Sequence, residues 1–100
     1  MVGADGVQLA TRTWSGPPDG PAYVLHHGLA SSQRIWDLMV PGLARDATVV
    51  TFDARGHGES QPGPSYEYSD LVGDLEAVLE ELELEKPALV GSSMGAATAM

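Results

Sequence analysis

The chain has 100 residues, 43% of them hydrophobic and 19% charged, a balance ordinary for a globular protein and remote from that of disordered chains. Fourteen acidic against five basic residues give a net charge of −9, a field that repels phosphate backbones and anionic bilayers, so nucleic acid is excluded as an expected partner. Cysteine is absent, which removes disulfides, thiolate metal sites and a cysteine nucleophile together, and any nucleophile must carry oxygen. Met1 to Asp5 lack the basic and apolar regions of a secretory signal, and no apolar run approaches the ~20 residues that span a bilayer. The expectation is a cytoplasmic protein without membrane insertion.

In chain order, Asp5-Gly6 is a strong hairpin-turn pair, and the imperfect apolar and polar alternation of Val7 to Trp14 follows it. This predicts one strand of a hairpin whose first strand is nearly absent. Ser15 to Pro21 is a loop by turn chemistry. Ala22 to Leu25, Ala47 to Phe52 and Ala88 to Val90 are short apolar runs of the kind buried in parallel sheets. Between the first two, Arg34 to Ala44 carries Ile35, Trp36, Met39, Val40 and Leu43, but Pro41 and Gly42 predict a short or kinked helix.

Between the second and third runs a helix begins near Ser69, which can cap it, and is stopped by Pro87. Leu71, Leu75, Val78, Leu79 and Leu82 form its apolar stripe, while Asp74, Glu76, Glu80, Glu81 and Glu83 fall largely outside it, on a face read as solvated. The alternation predicts an α/β fold in one domain spanning residues 1–100: a β-hairpin, then a right-handed βαβαβ unit whose parallel sheet carries helices on both faces. Ligands of such sheets bind outside the carboxyl ends of the strands.

Glycine-rich loops leave those ends: His26-His27-Gly28-Leu29, Asp53 to Ser60, and Gly91-Ser92-Ser93-Met94-Gly95. The last has the form G-x-S-x-G between an apolar strand and the small, helix-compatible run Ala96 to Met100. A nucleophilic serine must project its hydroxyl from a tight strand-to-helix turn, and Gly91 and Gly95 allow the backbone the close approach this needs. The helix would begin at Ser93, so its free N–H groups face any oxyanion formed there, with Met94 N–H as the first donor. The rival readings are a glycine-rich turn without chemistry and a phosphate cradle, the second lacking its G-x-G-x-x-G spacing.

Together, His27-Gly28-Leu29, Asp53-Ala54-Arg55-Gly56-His57-Gly58-Glu59-Ser60 and the segment around Ser93 resemble the α/β-hydrolase superfamily in residues, order and spacing. The resemblance covers nearly the whole chain, with one departure, Ser92 where histidine is frequent. It implies a serine hydrolase with Ser93 as nucleophile and Leu29 N–H as the second oxyanion donor, opposite Met94 N–H. It implies the family order of nucleophile, acid, histidine, so that the other two triad members are expected beyond Met100 and these 100 residues alone are expected to be inactive.

His57 and His27 are accordingly read as loop organisers, and His26 as a buried or partly exposed imidazole where the family is usually apolar. A metal site built from His26 and His27 is rejected because adjacent strand residues point to opposite faces. Asp53 and Arg55 are read as loop anchors through an ion pair and turn bonds, and Trp36 as either core or substrate-pocket lining. The implied chemistry is acyl transfer on a small-molecule substrate with no cofactor and no metal. A carboxylic ester is the leading class, and lactone, thioester, carbon–carbon hydrolysis and perhydrolysis use similar frameworks. Serine at position 93 separates the chain from the haloalkane dehalogenases and epoxide hydrolases of this fold, which place aspartate there. The alternatives are a ligand-binding member of the fold without turnover, or an inactive fragment.

Overall fold

The computed structural model describes residues 2–17, 20–28, 31–82 and 87–91. Strands β1 (Thr11–Trp14), β2 (Ala22–His26), β3 (Thr48–Phe52) and β4 (Ala88–Gly91) form one sheet in the order β1-β3-β2-β4. The apolar runs become its parallel centre, with Val24 opposite Val50 between β2 and β3, and Leu25 opposite Val90 between β2 and β4. β1 adds to the edge of β3 in antiparallel sense, Thr11 opposite Phe52 and Trp14 opposite Val49, which makes the sheet mixed.

The expected hairpin is reduced to a single bridge between Val2 and Gln8. Its turn keeps the anticipated chemistry, because Asp5 and Gly6 both adopt positive φ, 58° and 73°, as an Asp-Gly turn of the primed type requires. The ladder of residues 11–14 goes to β3, where it covers an otherwise open strand edge.

Alternation along the strands sends side chains to two layers. Val24, Val50 and Phe52 pack with Val7, Leu9 and with Leu75 and Val78 of helix α2 (Tyr68–Leu82). On the other face Leu25 and Val49 pack with Trp36 and Val40. These last two lie on a 3₁₀ turn, Gln33–Trp36, and on α1, Val40–Leu43, so the proline-containing stretch is indeed broken. Pro41 falls in the first turn of α1, where its missing N–H costs nothing.

Two local expectations are corrected. Helix α2 starts at Tyr68, so Ser69 lies inside it, and the end is closed instead by Asp70, whose Oδ2 accepts from Glu67 N–H at 3.0 Å and from the Ser65 hydroxyl. An acid in the first turn reaching back to a free N–H satisfies the terminus and complements its dipole, and the Ser65 bond holds the Asp70 carboxyl below the usual carboxylate range.

The second correction is Asp74, which is 2% exposed and not part of a solvated face. It receives Arg55, itself fully buried, as a fork: Nε to Oδ2 at 2.7 Å and Nη2 to Oδ1 at 2.8 Å. Arg55 Nη1 donates to Ser65 O (3.0 Å) and Asp5 Oδ2 (3.3 Å), and Nη2 also to Ala4 O (3.3 Å), which occupies all its N–H groups. The Asp74 carboxylate raises the Arg55 pKa, so the cation is permanent.

Removing one partner of a buried pair strands a charge, at a cost of about 3–5 kcal/mol. Asp74→Ala is therefore expected to lower stability by about that amount in urea denaturation, whereas Glu76→Ala, at an exposed position of the same helix, should stay within about 0.5 kcal/mol. Equal midpoints for the two variants would contradict the assignment.

Candidate active site

β2 lies between β3 and β4, and the chain leaves it toward β3 and then returns past it to β4. The β2/β4 pair is therefore where strand order reverses, the position at which open α/β sheets hold ligands. The register sets His26 opposite Gly91. His27 and Gly28, both buried, continue from one strand end, and Gly91, the first residue of the G-x-S-x-G sequence, ends its neighbour. Gly28 and Gly91 are thus on adjacent strand ends. Ser93, Met94, Gly95 and Leu29 lie outside the described residues.

The imidazoles are each spent on the backbone. His26 Nδ1 donates to His27 O at 2.9 Å, and its ring meets Phe52 edge to face at 4.9 Å. His27 Nδ1 donates to Gly28 O at 2.7 Å while its Nε2 accepts the Ala54 N–H at 2.8 Å, a pair of partners that assigns the neutral Nδ1–H tautomer. His57 Nδ1 donates to Arg55 O at 3.0 Å, within its own loop. Burial pushes the pKa values of His26 and His27 below 6.5 by disfavouring the charged form.

Asp53 anchors its loop, but with partners other than Arg55. Its carboxylate accepts Gln33 N–H at 2.8 Å, Gln33 Nε2 at 3.3 Å and Glu59 N–H at 3.0 Å. Its backbone is held as well, N–H to Ala10 O at 2.9 Å and carbonyl to the Ser60 hydroxyl at 2.6 Å. Gly58 turns under this carboxylate with φ of +51°, and a Cβ there would collide with it, so both conformation and space require glycine.

Trp36 is 6% exposed among Leu25, Val40 and Val49, and its indole Nε1 is buried with no hydrogen-bond partner among the described residues. A cavity of about 150 Å³ opens elsewhere, between Thr11 and Arg12 of β1, the segment Ser32–Arg34, and Asp53, Gly58 and Glu59. It sits on the β1/β3 side and not at the β2/β4 junction. Gln33 and Asp74, central to holding these loops, carried no sequence motif. Among the described residues no three His, Asp or Glu side chains gather as a metal site.

A mixed four-stranded sheet with helices packed on both faces is the fold of the α/β hydrolases. The chain belongs to that family, whose model, described as the alpha/beta hydrolase fold, matches residues 21–100. It is 35% identical over 86 residues to 3-oxoadipate enol-lactonase 1 of Acinetobacter baylyi, covering 86% of this chain and 32% of that protein. It is 39% identical over 89 residues to a Mycobacterium tuberculosis protein named "Probable oxidoreductase EphD", covering 86% of this chain but 15% of that one. A solved hydrolase from Pseudomonas aeruginosa superposes with a TM-score of 0.89 at 31% identity, over 98% of this chain and 37% of its own. The chain thus spans about a third or less of the curated relatives it matches.

The neutral histidines make stability depend on pH. Their folded pKa values lie below the unfolded value of 6.5, so the unfolded state binds more protons just below that pH. The stabilisation is present above about pH 6.5 and is lost as pH falls toward the folded pKa values. The urea midpoint should drop between about pH 7.5 and 5.5, and His26→Leu should flatten that dependence. An identical pH slope in the two proteins would refute a buried neutral His26.

Proposed function

We propose that the chain carries the nucleophile and oxyanion hole of a serine hydrolase acting on a carboxylic ester or related acyl compound. The observation that carries this reading is the parallel register of β2 and β4, with His26 opposite Gly91, which begins the His27-Gly28-Leu29 loop and the G-x-S-x-G turn on neighbouring strand ends. A carbonyl carbon bound between them is attacked by Ser93 Oγ, and its oxygen, gaining negative charge, accepts from Leu29 N–H and Met94 N–H. The alkoxide or enolate leaves, and water then attacks the acyl-enzyme, returning Ser93 and releasing the acid.

The serine proton goes to a histidine that follows Ser93 in the family order, which none of His26, His27 and His57 does. The bonds of His27 agree, since Nδ1 is committed to Gly28 O and Nε2 to Ala54 N–H. A lactone is a cyclic ester opened by the same attack. The likeness to an enol-lactonase therefore supports including lactones in the substrate class.

In the full-length protein a fluorophosphonate probe should label Ser93, and Ser93→Ala should abolish labelling and reduce turnover of a short activated ester by about 10⁴-fold or more. Labelling of another serine, with Ser93→Ala fully active, would refute the assignment.

A further inference from the structure

The loop from His27 to Gln33 begins and ends on one dipeptide. At its start His27 Nε2 accepts the Ala54 N–H at 2.8 Å, and at its end Gln33 N–H donates to Asp53 Oδ1 at 2.8 Å. Between them Ser31 N–H donates to Gly28 O at 3.3 Å. The stretch contains Gly28 and Leu29, the residues the acyl-transfer reading assigns to the oxyanion loop.

Gln33 itself is 5% exposed, although its neighbours Arg34 and Ile35 are exposed. Its Oε1 accepts from the Thr51 hydroxyl at 2.6 Å and from Arg12 Nε at 3.0 Å. Its Nε2 donates to Asp53 Oδ2 and to Ala10 O, each at 3.3 Å, and its carbonyl accepts Arg12 Nη2 at 3.1 Å. Arginine offers donors only and a carboxylate and a carbonyl accept, so the network fixes which amide end is which. Every polar group of the residue is used, and the partners come from β1, β3 and the loop after β3. Such full satisfaction rigidifies a buried polar group.

We propose that Gln33 is a positioning residue for acyl transfer, tying the segment that follows β2 to Asp53 so that Gly28, held through Ser31 N–H, keeps a fixed relation to the carboxyl end of β4. This rests on the assignment of Ser93 as nucleophile. Only a neutral donor fits beside Asp53: a second carboxylate at 3.3 Å would repel it unless one proton were shared. The charged groups facing position 33 are Arg12 from β1, Asp53 after β3, Glu59 across the cavity, and Arg34 and Asp37 on its own segment.

The test uses the intact enzyme, with kcat and KM for an activated ester measured against pH and corrected for folded fraction by thermal melting. Gln33→Met should lower kcat by about 10- to 100-fold at all pH values with KM within about threefold, the signature of displaced transition-state donors. Gln33→Glu should lose as much near pH 8 and recover, relative to wild type, to within about threefold near pH 5.5, as the introduced carboxyl takes up a proton and donates to Asp53. Wild-type kcat in both variants, or a Gln33→Glu loss whose ratio to wild type is flat with pH, would overturn the proposal. If either variant fails to melt cooperatively, Thr51→Val, which removes one bond to Gln33, serves instead: a several-fold loss of kcat at unchanged KM supports the proposal, and unchanged kcat overturns it. Absence of Ser93-dependent turnover in the unsubstituted protein would overturn the acyl-transfer reading and this one together, whereas Ser93-dependent turnover with unmoved variants would overturn this one alone.

Discussion

A guanidinium with no water around it must find a partner for each N–H, and Arg55 does so by drawing together three parts of the chain. Asp74 brings α2, Ala4 and Asp5 bring the segment before β1, and Ser65 brings the approach to α2. Because Arg55 follows Asp53 and Ala54 directly, fixing its side chain fixes the backbone that those two residues share. That backbone is in turn what His27 and Gln33 hold. A charge pair on one face of the sheet thereby anchors a loop that runs to the other.

The apolar layers do the larger part of the folding and the polar groups the aiming. Burial of Val24, Val50 and Phe52 on one side and of Leu25 and Val49 on the other commits the strands to a sheet with two covered faces. Neither layer specifies where a loop beyond the last strand residue should lie. The directional bonds of Asp53, Gln33 and His27 supply that, and the neutral state of His27 matters because a protonated Nε2 could not accept from Ala54.

Much of this was legible in the sequence, and the reasons differ by residue. The parallel strands announce themselves because burial on both faces demands continuous apolar runs, and the Asp5-Gly6 turn because few residues take positive φ. Asp74 was misread because helical periodicity counts apolar residues: a carboxylate beside the stripe joins the core only if a cation reaches it, and that cation is 19 positions away. Gln33 is less visible still, an amide in a loop whose burial depends on partners from both β1 and β3. The cap of α2 shows a local version of the same limit, two adjacent polar residues of which Asp70 prevails because its longer, charged side chain reaches back to Glu67 N–H.

The segment Gly3–Asp5 covers the Arg55 guanidinium with little pairing of its own: one bridge at Val2, a bond from Gly3 N–H to Val7 O, its return from Val7 N–H to Ala4 O, and Ala4 N–H on Asp74. Short stretches held this way open more readily than the strands beneath them. Each opening would admit water to the ion pair and raise the local dielectric, weakening an attraction that owes its strength to dryness. The effective stiffness of the loop after β3 is therefore set partly by how often a peripheral peptide breathes, so that a fluctuation at the surface is transmitted inward as hydration.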